Sequence, residues 1–345
     1  MVHINQAVLT QLPQDINLRW QRRTLHFRTP ATTSRGALKC RETYIITAQS
    51  GNATAEGECC IMPGLLAELT PAIMQHWCSE VEQHKSLALP RMPSPIRFGL
   101  ESALLALNTP NRPRWNTPFS RGEVGIRIHG LIWMAGIDAM LANMQKAVAG
   151  GFTCLKMKVG AHPFSRETEM LQEARRAFPT ADIRVDANGA WTPQEALKKL
   201  EVLAGLGISF IEQPIKHGQW KAMAELCRYS PLPIALDEEL LAPCNTTELM
   251  ETIRPQAIVI KPSLHGGLLA AETLAKQAED QGAAWWINSA LESHIGLETL
   301  AEWCGFVAPD TMHGLGTGRL FADDTSNKIK LDGEHLWYTR SLNKC

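Results

Sequence analysis

The sequence predicts an α/β protein in which a (β/α)8 barrel follows a smaller α+β domain. Three observations lead to this prediction. Eight strand-like apolar runs alternate with helix-like segments after residue 124, and charged residues stand at the ends of several runs at nearly constant intervals. Residues 16–107 instead show strand-like runs first and helical periodicity afterwards. Regular alternation is typical of parallel βα units, whereas segregated strands and helices are typical of α+β domains.

The composition favours a globular protein that acts on a small molecule. The chain has 345 residues, of which 45% are hydrophobic and 20% are charged. Lys plus Arg number 34 against 35 Asp plus Glu, so no basic surplus points to nucleic acid or to an anionic membrane. No apolar run is long enough to span a bilayer. Nine cysteines without a CxxC pair favour reduced thiols, and we expect a cytoplasmic protein whose oligomeric state is left open.

The first part of the chain predicts a compact α+β domain over residues 1–118. Strand-like runs lie between residues 16 and 62, and apolar residues then recur at three- and four-residue spacing from 63 to 107. The segment 108–122 is polar and rich in proline, as linkers often are. We place the barrel at 119–319 and a tail, with the strand-like runs KIKLDG and HLWYTR, at 320–345.

The barrel prediction depends on the strand candidates and on the helical segments between them. The first seven candidates are GIRIHGLIW, TCLKMK, DIRVDA, ISFIEQP, LPIALDEE, QAIVIKPS and AAWWINSA. The eighth lies near residues 308–315. Because successive strand residues point to opposite faces, one of Trp285 and Trp286 should face the barrel interior and the other the helices.

Three carboxylates occupy the ends of three successive strand candidates. Asp186 and Glu212 are 26 positions apart, and Asp237 follows 25 positions later. Each interval is about the length of one βα unit, so the three side chains should meet on one face of the barrel. Ionised carboxylates gathered there are costly unless they are paired or bind a metal, and oxygen ligands suit Mg²⁺. The alternative is that they only form salt bridges with lysines.

Three lysines are predicted on the same face. Lys156 and Lys158 lie two positions apart on one strand, so both point into the barrel mouth. Lys261 follows Asp237 by 24 positions and ends the sixth strand, across the ring. This arrangement suits removal of a proton beside a carboxylate, because a cation can hold the developing charge while an amine takes the proton. A neighbouring cation favours the neutral amine that this step needs.

Several motifs, in a fixed order, resemble those of the enolase superfamily and of its muconate-lactonizing-enzyme subgroup. They are KMKVG at 156–160, VDANGAW at 185–191, IEQP at 211–214, ALDEE at 235–239, VIKP at 259–262 and NSALESHIGL at 288–297. The resemblance covers nearly the whole chain. It implies a TIM-like barrel of the kind that forms the C-terminal domain of enolase, with residues 1–118 as a capping domain. The segments TTSRGALK and GECCIMPGL would be the cap loops over the barrel, and the tail would return to the cap.

The resemblance also implies roles for the metal-binding residues. The Mg²⁺ ligands would be Asp186, Glu212 and Asp237, with Mn²⁺ as a substitute cation. Asn188 and Glu238 would lie beside these ligands without binding the metal themselves. One departure is Gln213, which stands where many members of the superfamily have a second glutamate after the ligand.

For catalysis, the resemblance implies that Lys158 is the reactive base and Lys156 its partner. Lys261 would be a second acid/base in a racemase, or a cation near the enolate in a dehydrating member. Asn288 and Ser289 would line the pocket for a carboxylate or succinyl group; the equally open alternative is a hydrophilic strand end.

The resemblance favours a Mg²⁺-dependent hydro-lyase. Its reaction would be the syn dehydration of 2-succinyl-6-hydroxy-2,4-cyclohexadiene-1-carboxylate to 2-succinylbenzoate through an enediolate, a step of menaquinone biosynthesis. The alternative is an N-succinylamino acid racemase or dipeptide epimerase of the same subgroup. The run TMHGLGTG at 311–318 lacks the acidic DxD with which dipeptide epimerases hold an ammonium group, which argues against a dipeptide. A remote alternative is a catalytically silent barrel scaffold, although every implied ligand and lysine is present.

Overall fold

The N-terminal domain is an antiparallel sheet with helices packed against it. The computed structural model describes residues 4–33, 36–62, 64–241, 245–324, 326 and 328–339. The predicted cap loop TTSRGALK includes residues 34 and 35, which lie outside this range. The elements of this domain are α1 (Ala7–Thr10), β1 (Asn17–Thr33), β2 (Gly36–Ser50), β3 (Ala53–Cys60), α2 (Pro71–His84) and α3 (Ser94–Leu107). The three strands form a sheet in the order β1-β2-β3.

Helix α3 packs very closely on the sheet because two glycines face each other. A Cβ on Gly57 of β3 would lie 1.9 Å from the carbonyl oxygen of Gly99 in α3. Only a residue without a side chain allows the helix backbone to approach the strand at this distance. This contact fixes how the helix lies on the sheet.

The second part of the chain forms a curled parallel sheet surrounded by helices. Its seven strands are β5 (Gly130–Ile132), β6 (Cys154–Lys158), β7 (Asp182–Asp186), β8 (Phe210–Glu212), β9 (Ile234–Leu236), β10 (Ala257–Ile260) and β11 (Ala284–Ile287). They are ordered β11-β10-β9-β8-β7-β6-β5, with a helix between each strand and the next along the chain. The short strand β4 (Ile126–Arg127) precedes them and lies outside the parallel sheet. The helices are α4 (Ile137–Ala149), α5 (Phe164–Ala177), α6 (Pro193–Gly205), α7 (Trp220–Tyr229), α8 (Thr246–Ile253), α9 (Gly267–Asp280) and α10 (His294–Val307).

Two residues close the ring in the eighth strand position. Gly314 pairs in parallel with Asn288, and His313 pairs with Ile128. No helix follows this segment in the described residues up to 339. The predicted barrel architecture is therefore confirmed, with seven complete βα units and a short eighth strand.

Side chains alternate across the barrel wall as the sequence predicts. Trp286 is buried with Ala235, Val259 and Phe210 inside the barrel, whereas Trp285 packs against the layer of helices. The indole nitrogen of Trp285 donates a hydrogen bond to Glu279 at 3.1 Å. The tryptophan pair therefore has a packing role on both sides of the strand.

The tail contacts both parts of the molecule. Strands β12 (Ile329–Asp332) and β13 (His335–Tyr338) form a hairpin, and β13 pairs with β4 and not with the cap sheet. The residues just before this hairpin contact the cap sheet, where Phe321 pairs with Phe27 of β1. The segment 320–345 thus touches the cap near its start, while its hairpin pairs with β4. The domain boundary at residue 118 stays a prediction.

Buried charged residues of the N-terminal domain hold two barrel helices at their N-termini. The Glu58 carboxylate accepts hydrogen bonds from the amide and hydroxyl of Ser293, which caps α10. Glu101 likewise accepts a hydrogen bond from the amide of Leu268 at the start of α9. Negative charge is stabilising at a helix N-terminus, where amide groups lack partners within the helix. These contacts join the two domains on the side of β10 and β11.

No helix among the described residues is both long and apolar enough to cross a membrane. The seven cysteines in the same residues are all free thiols. The cytoplasmic location stays a prediction.

Candidate active site

The three predicted carboxylates converge at the C-terminal end of the parallel strands. Asp186 is the last residue of β7, Glu212 is the last residue of β8, and Asp237 directly follows β9. Each is at most 2% exposed. All three line a cavity with about 890 Å³ of space free of protein atoms, partly open to solvent. The arrangement of parallel strands therefore gathers residues that are far apart in sequence.

The three predicted lysines contact these carboxylates directly. Lys156 Nζ lies 2.9 Å from Asp186 Oδ2 and 2.6 Å from Glu212 Oε2. Lys158 Nζ donates to Asp186 Oδ2 at 2.6 Å, and Lys261 Nζ donates to Asp237 Oδ2 at 2.5 Å. Strands β6 and β10 are separated by three strands in the ring, so Lys158 and Lys261 approach the carboxylates from opposite sides.

The pKa values in this cluster are set by competition between burial and charge. Burial alone would lower the pKa of Lys156, but the charges of Asp186 and Glu212 outweigh it and raise that pKa. Burial and the nearby Asp186 charge raise the pKa of Glu212 well above its ordinary value. Burial would also raise the pKa of Asp237, yet Lys261 and Lys156 hold it below the usual range. The lysines therefore supply positive charge that the buried carboxylates need.

Asn188 and Glu238 lie beside the carboxylates. The Asn188 amide accepts a hydrogen bond from Lys158 Nζ at 2.8 Å and donates one to Glu238 Oε1 at 2.9 Å. Its backbone amide donates to Asp186 Oδ1 at 3.0 Å. Burial and the charges of Asp237 and Asp186 raise the pKa of Glu238 to about 7. Asn188 thus forms hydrogen bonds with Lys158, Asp186 and Glu238 and holds these three residues together.

Gln213, the departure from the superfamily pattern, links the ends of two strands. Its Oε1 accepts hydrogen bonds from the amides of Asp237 and Glu239, at 3.1 and 3.4 Å, and its Nε2 donates to the carbonyl of Ile215 at 3.0 Å. A glutamate could accept the first two bonds but, when ionised, could not donate the third. The amide therefore fixes the position of Asp237 without adding a further charge.

The donor set fits Mg²⁺. Within the described residues, both Glu212 carboxylate oxygens, Asp237 Oδ1 and Glu238 Oε2 are buried without a hydrogen-bond partner. Glu212 Oε2 is close to Lys156 Nζ, but this ion pair lacks hydrogen-bond geometry. No three acidic, histidine or cysteine side chains of the described residues are already gathered closely enough to hold an ion. Buried carboxylate oxygens that have no hydrogen-bond partner suit a hard cation such as Mg²⁺.

The cavity walls include both predicted and unexpected residues. Asn288 and Ser289 line the cavity, as the resemblance implies, and the Ser289 hydroxyl lies 2.6 Å from Thr317 Oγ1. Met62 and Leu65, which belong to the predicted cap loop GECCIMPGL of the N-terminal domain, also line the cavity. Pro63 of that loop lies outside the described residues.

One group of wall residues, on and beside the first barrel strand, was not predicted. His129, Leu131 and Trp133 all line the cavity. They occur at every second position of GIRIHGLIW, so the same alternation that placed the two lysines could have identified them.

The chain belongs to the family described as enolase C-terminal domain-like, whose model matches residues 139–325. It is similar to the o-succinylbenzoate synthase of Desulfotalea psychrophila, with 34% identity over an alignment of 360 positions that covers 92% of this chain and 98% of that protein. The crystal structure of MenC from Desulfotalea psychrophila LSv54 has a TM-score of 0.80 at 31% identity, over 94% of this chain and 99% of that one.

A more distant structure shares the fold. The dipeptide epimerase from Enterococcus faecalis V583, complexed with Mg and the dipeptide L-Leu-L-Tyr, has a TM-score of 0.82 at 18% identity, over 94% of this chain and 96% of that one. Together with the family match, these likenesses confirm the predicted membership of the enolase superfamily.

Proposed function

We propose that the chain catalyses the reaction of an o-succinylbenzoate synthase. This is the dehydration of 2-succinyl-6-hydroxy-2,4-cyclohexadiene-1-carboxylate to 2-succinylbenzoate, a step of menaquinone biosynthesis. The observation that carries the proposal is the identity with the Desulfotalea psychrophila enzyme along almost the full length of both proteins. The site geometry agrees with it, because buried carboxylates between two amines suit proton transfer beside a carboxylate.

Asp186, Glu212 and Asp237 would hold Mg²⁺ in this proposal. A bound Mg²⁺ stabilises negative charge on the carboxylate oxygens of the substrate. The ion would compete with the ammonium of Lys156 for Asp186 and Glu212, since that lysine contacts both residues.

Lys158 is the base in the proposed mechanism. Its Nζ is held by Asp186 and by Asn188, and its side chain is about 19% exposed toward the cavity. The C–H bond next to the substrate carboxylate breaks, and its proton passes to Lys158 Nζ. The electron pair then completes the aromatic ring as the C–O bond breaks. The same ammonium returns the proton to the departing hydroxide, so that water leaves from the face from which the proton was removed.

The other two lysines supply fixed charge. Lys156 is 5% exposed and forms ion pairs with two carboxylates, so it orients these groups and stays within the wall. Lys261 is bound to Asp237 on the opposite side of the cavity, where it would face the substrate ring on which charge develops. An ammonium placed there favours the charged state along the reaction path.

An N-succinylamino acid racemase is the second candidate. Lys158 and Lys261 on opposite sides of the carboxylates would also suit removal of a proton from one face of a carbon and its return to the other. A dipeptide epimerase is disfavoured, because residues 311–318 contain no carboxylate to hold an ammonium group.

A paired assay separates these candidates. The chain is incubated with Mg²⁺ and the cyclohexadiene substrate, and the appearance of the aromatic product is followed by its ultraviolet absorbance. In a parallel assay, an N-succinylamino acid in deuterated water is followed by proton NMR at its α-carbon. We expect rapid aromatisation, and Lys158→Ala provides the inactive control. Exchange of the α-proton without aromatisation would favour the racemase. The absence of both reactions would favour a scaffold.

A further inference from the structure

A buried histidine at the floor of the cavity has no role in the mechanism above. His129 follows β4 and is only 3% exposed, yet it lines the cavity. Neither of its ring nitrogens has a hydrogen-bond partner among the described residues. Because buried polar groups are nearly always paired in native proteins, an unpaired imidazole beside a substrate pocket points to a functional contact.

Its polar neighbour is Asn288, which is also incompletely paired. Asn288 is 6% exposed, and its Oδ1 is buried without a partner in the part of the chain that the structure describes. The two residues lie on either side of the eighth strand position, because His313 pairs with Ile128 and Gly314 pairs with Asn288. The imidazole and the amide therefore lie at the same level of the barrel.

Gly314 leaves the space in which these two groups meet. A Cβ at this position would lie 1.8 Å from Asn288 Oδ1 and 2.8 Å from His129 Nε2. Any side chain here would displace the amide, the imidazole or both. A glycine at this point keeps the two polar atoms next to each other.

The imidazole is neutral in this environment. Burial, together with the positive charge of Lys156, lowers the pKa of His129 to about 3. A neutral imidazole carries one N–H donor and one acceptor nitrogen, so it can donate a single hydrogen bond to the amide oxygen.

We propose that His129 is a positioning residue for substrate recognition. A small rotation of the two side chains lets its Nε2–H donate to Asn288 Oδ1, and this bond fixes the orientation of the amide. The Asn288 NH₂ group is then turned into the cavity, where it donates a hydrogen bond to an oxygen of the succinyl arm. This inference rests on the proposed function for the identity of the arm, and it makes His129 and Asn288 determinants of specificity for a side chain that carries oxygen acceptors.

The test measures binding of the reaction product, 2-succinylbenzoate, and of benzoate, which lacks the succinyl arm. Calorimetric titrations with Mg²⁺ present are made on the wild type, His129→Leu, Asn288→Ala and the double variant. His129→Gln keeps an N–H donor near Nε2 and serves as the conservative variant. Ile132→Val, a change at an apolar position of the same strand whose side chain packs in the core and does not line the cavity, is the matched control.

We expect His129→Leu and Asn288→Ala each to weaken 2-succinylbenzoate binding about tenfold, the effect of one lost hydrogen bond near a charged ligand. Binding of benzoate should be unchanged, and His129→Gln should remain within about threefold of the wild type. Because His129 acts through Asn288, the double variant should be no weaker than Asn288→Ala alone. In turnover assays the loss should appear in KM, with kcat nearly constant.

Two outcomes would overturn the inference while leaving the proposed function intact. One is wild-type affinity for 2-succinylbenzoate in Asn288→Ala, which remains informative even if His129→Leu does not fold. The other is an equal loss of benzoate binding in His129→Leu, which would indicate a merely structural role. Failure of the wild type to bind 2-succinylbenzoate would instead refute the proposed function itself.

Discussion

Replacement of Arg41 by methionine tests how strongly the N-terminal domain is joined to the barrel. The Arg41 side chain is 1% exposed, and its Nη2 donates to Glu58 Oε1 at 2.7 Å. Its Nη1 also donates to the carbonyls of Ala290 and Leu291, which directly follow the cavity residues Asn288 and Ser289. Methionine fills a similar volume but leaves the buried Glu58 carboxylate without its compensating charge.

The expected cost is large because the pair is fully buried. Removal of one partner of a buried ion pair typically costs about 3–5 kcal/mol. Glu58 retains hydrogen bonds from Thr43 and Ser293, so we expect the lower part of this range, about 3 kcal/mol. The double variant Arg41→Met/Glu58→Gln should recover at least ~1 kcal/mol, because it leaves no unpaired charge in the interface.

The assay is equilibrium urea unfolding at pH 7, followed by circular dichroism. Arg22→Met is the matched control, because Arg22 forms an ion pair with Glu42 in the same sheet but is 55% exposed. The control should unfold at the wild-type urea concentration. A loss below about 1 kcal/mol in Arg41→Met, or a double variant less stable than the single one, would refute the argument that this buried pair secures the interface.

Three further predictions follow from individual residues. Lys158→Ala should abolish turnover while leaving Mg²⁺ affinity equal or higher, since a positive charge beside Asp186 is removed; measurable dehydration by this variant would disprove the role of the base. His313 has a pKa lowered to about 4 by burial, below the unfolded value of about 6.5, so its contribution to stability is present above pH 6.5 and is lost as the pH falls toward 4. Between pH 7 and pH 5, the loss of unfolding free energy should be about 2 kcal/mol smaller in His313→Gln than in the wild type, and an equal loss in both would contradict the assignment. Gly57→Ala should cost about 1–3 kcal/mol in urea unfolding, because its Cβ would lie 1.9 Å from the Gly99 carbonyl; wild-type stability would show that α3 can move away.

The barrel and its site could be predicted because both follow from a repeated local pattern. Each βα unit has a similar length, so residues at regular intervals end their strands on the same face. For this reason the spacing of Asp186, Glu212 and Asp237 predicted that their side chains meet, and the structure brings them into one cavity. The alternation within one strand likewise predicted that Lys156 and Lys158 point the same way.

Features that depend on pairing between distant segments could not be predicted in this way. The tail hairpin shows strand periodicity, but nothing in that periodicity specifies β4 as its partner. The role of Gln213 depends on amides of the next strand, which only the folded structure places within reach. The inward position of His129 could have been predicted from the alternation of its strand. Its place beside Gly314 and near Asn288 could not, because these residues come together only when the ring closes.

Asp186, Glu212 and Asp237 together are expected to bind a divalent cation, and direct titration of Mg²⁺ tests this expectation. Isothermal titration calorimetry would compare the wild type with Asp237→Asn and with Asp310→Asn, a control at an exposed residue that does not line this cavity. We expect a single Mg²⁺ site in the wild type and in the control, with affinity at least about tenfold lower in Asp237→Asn. No binding by the wild type, or equal affinity in all three proteins, would contradict it.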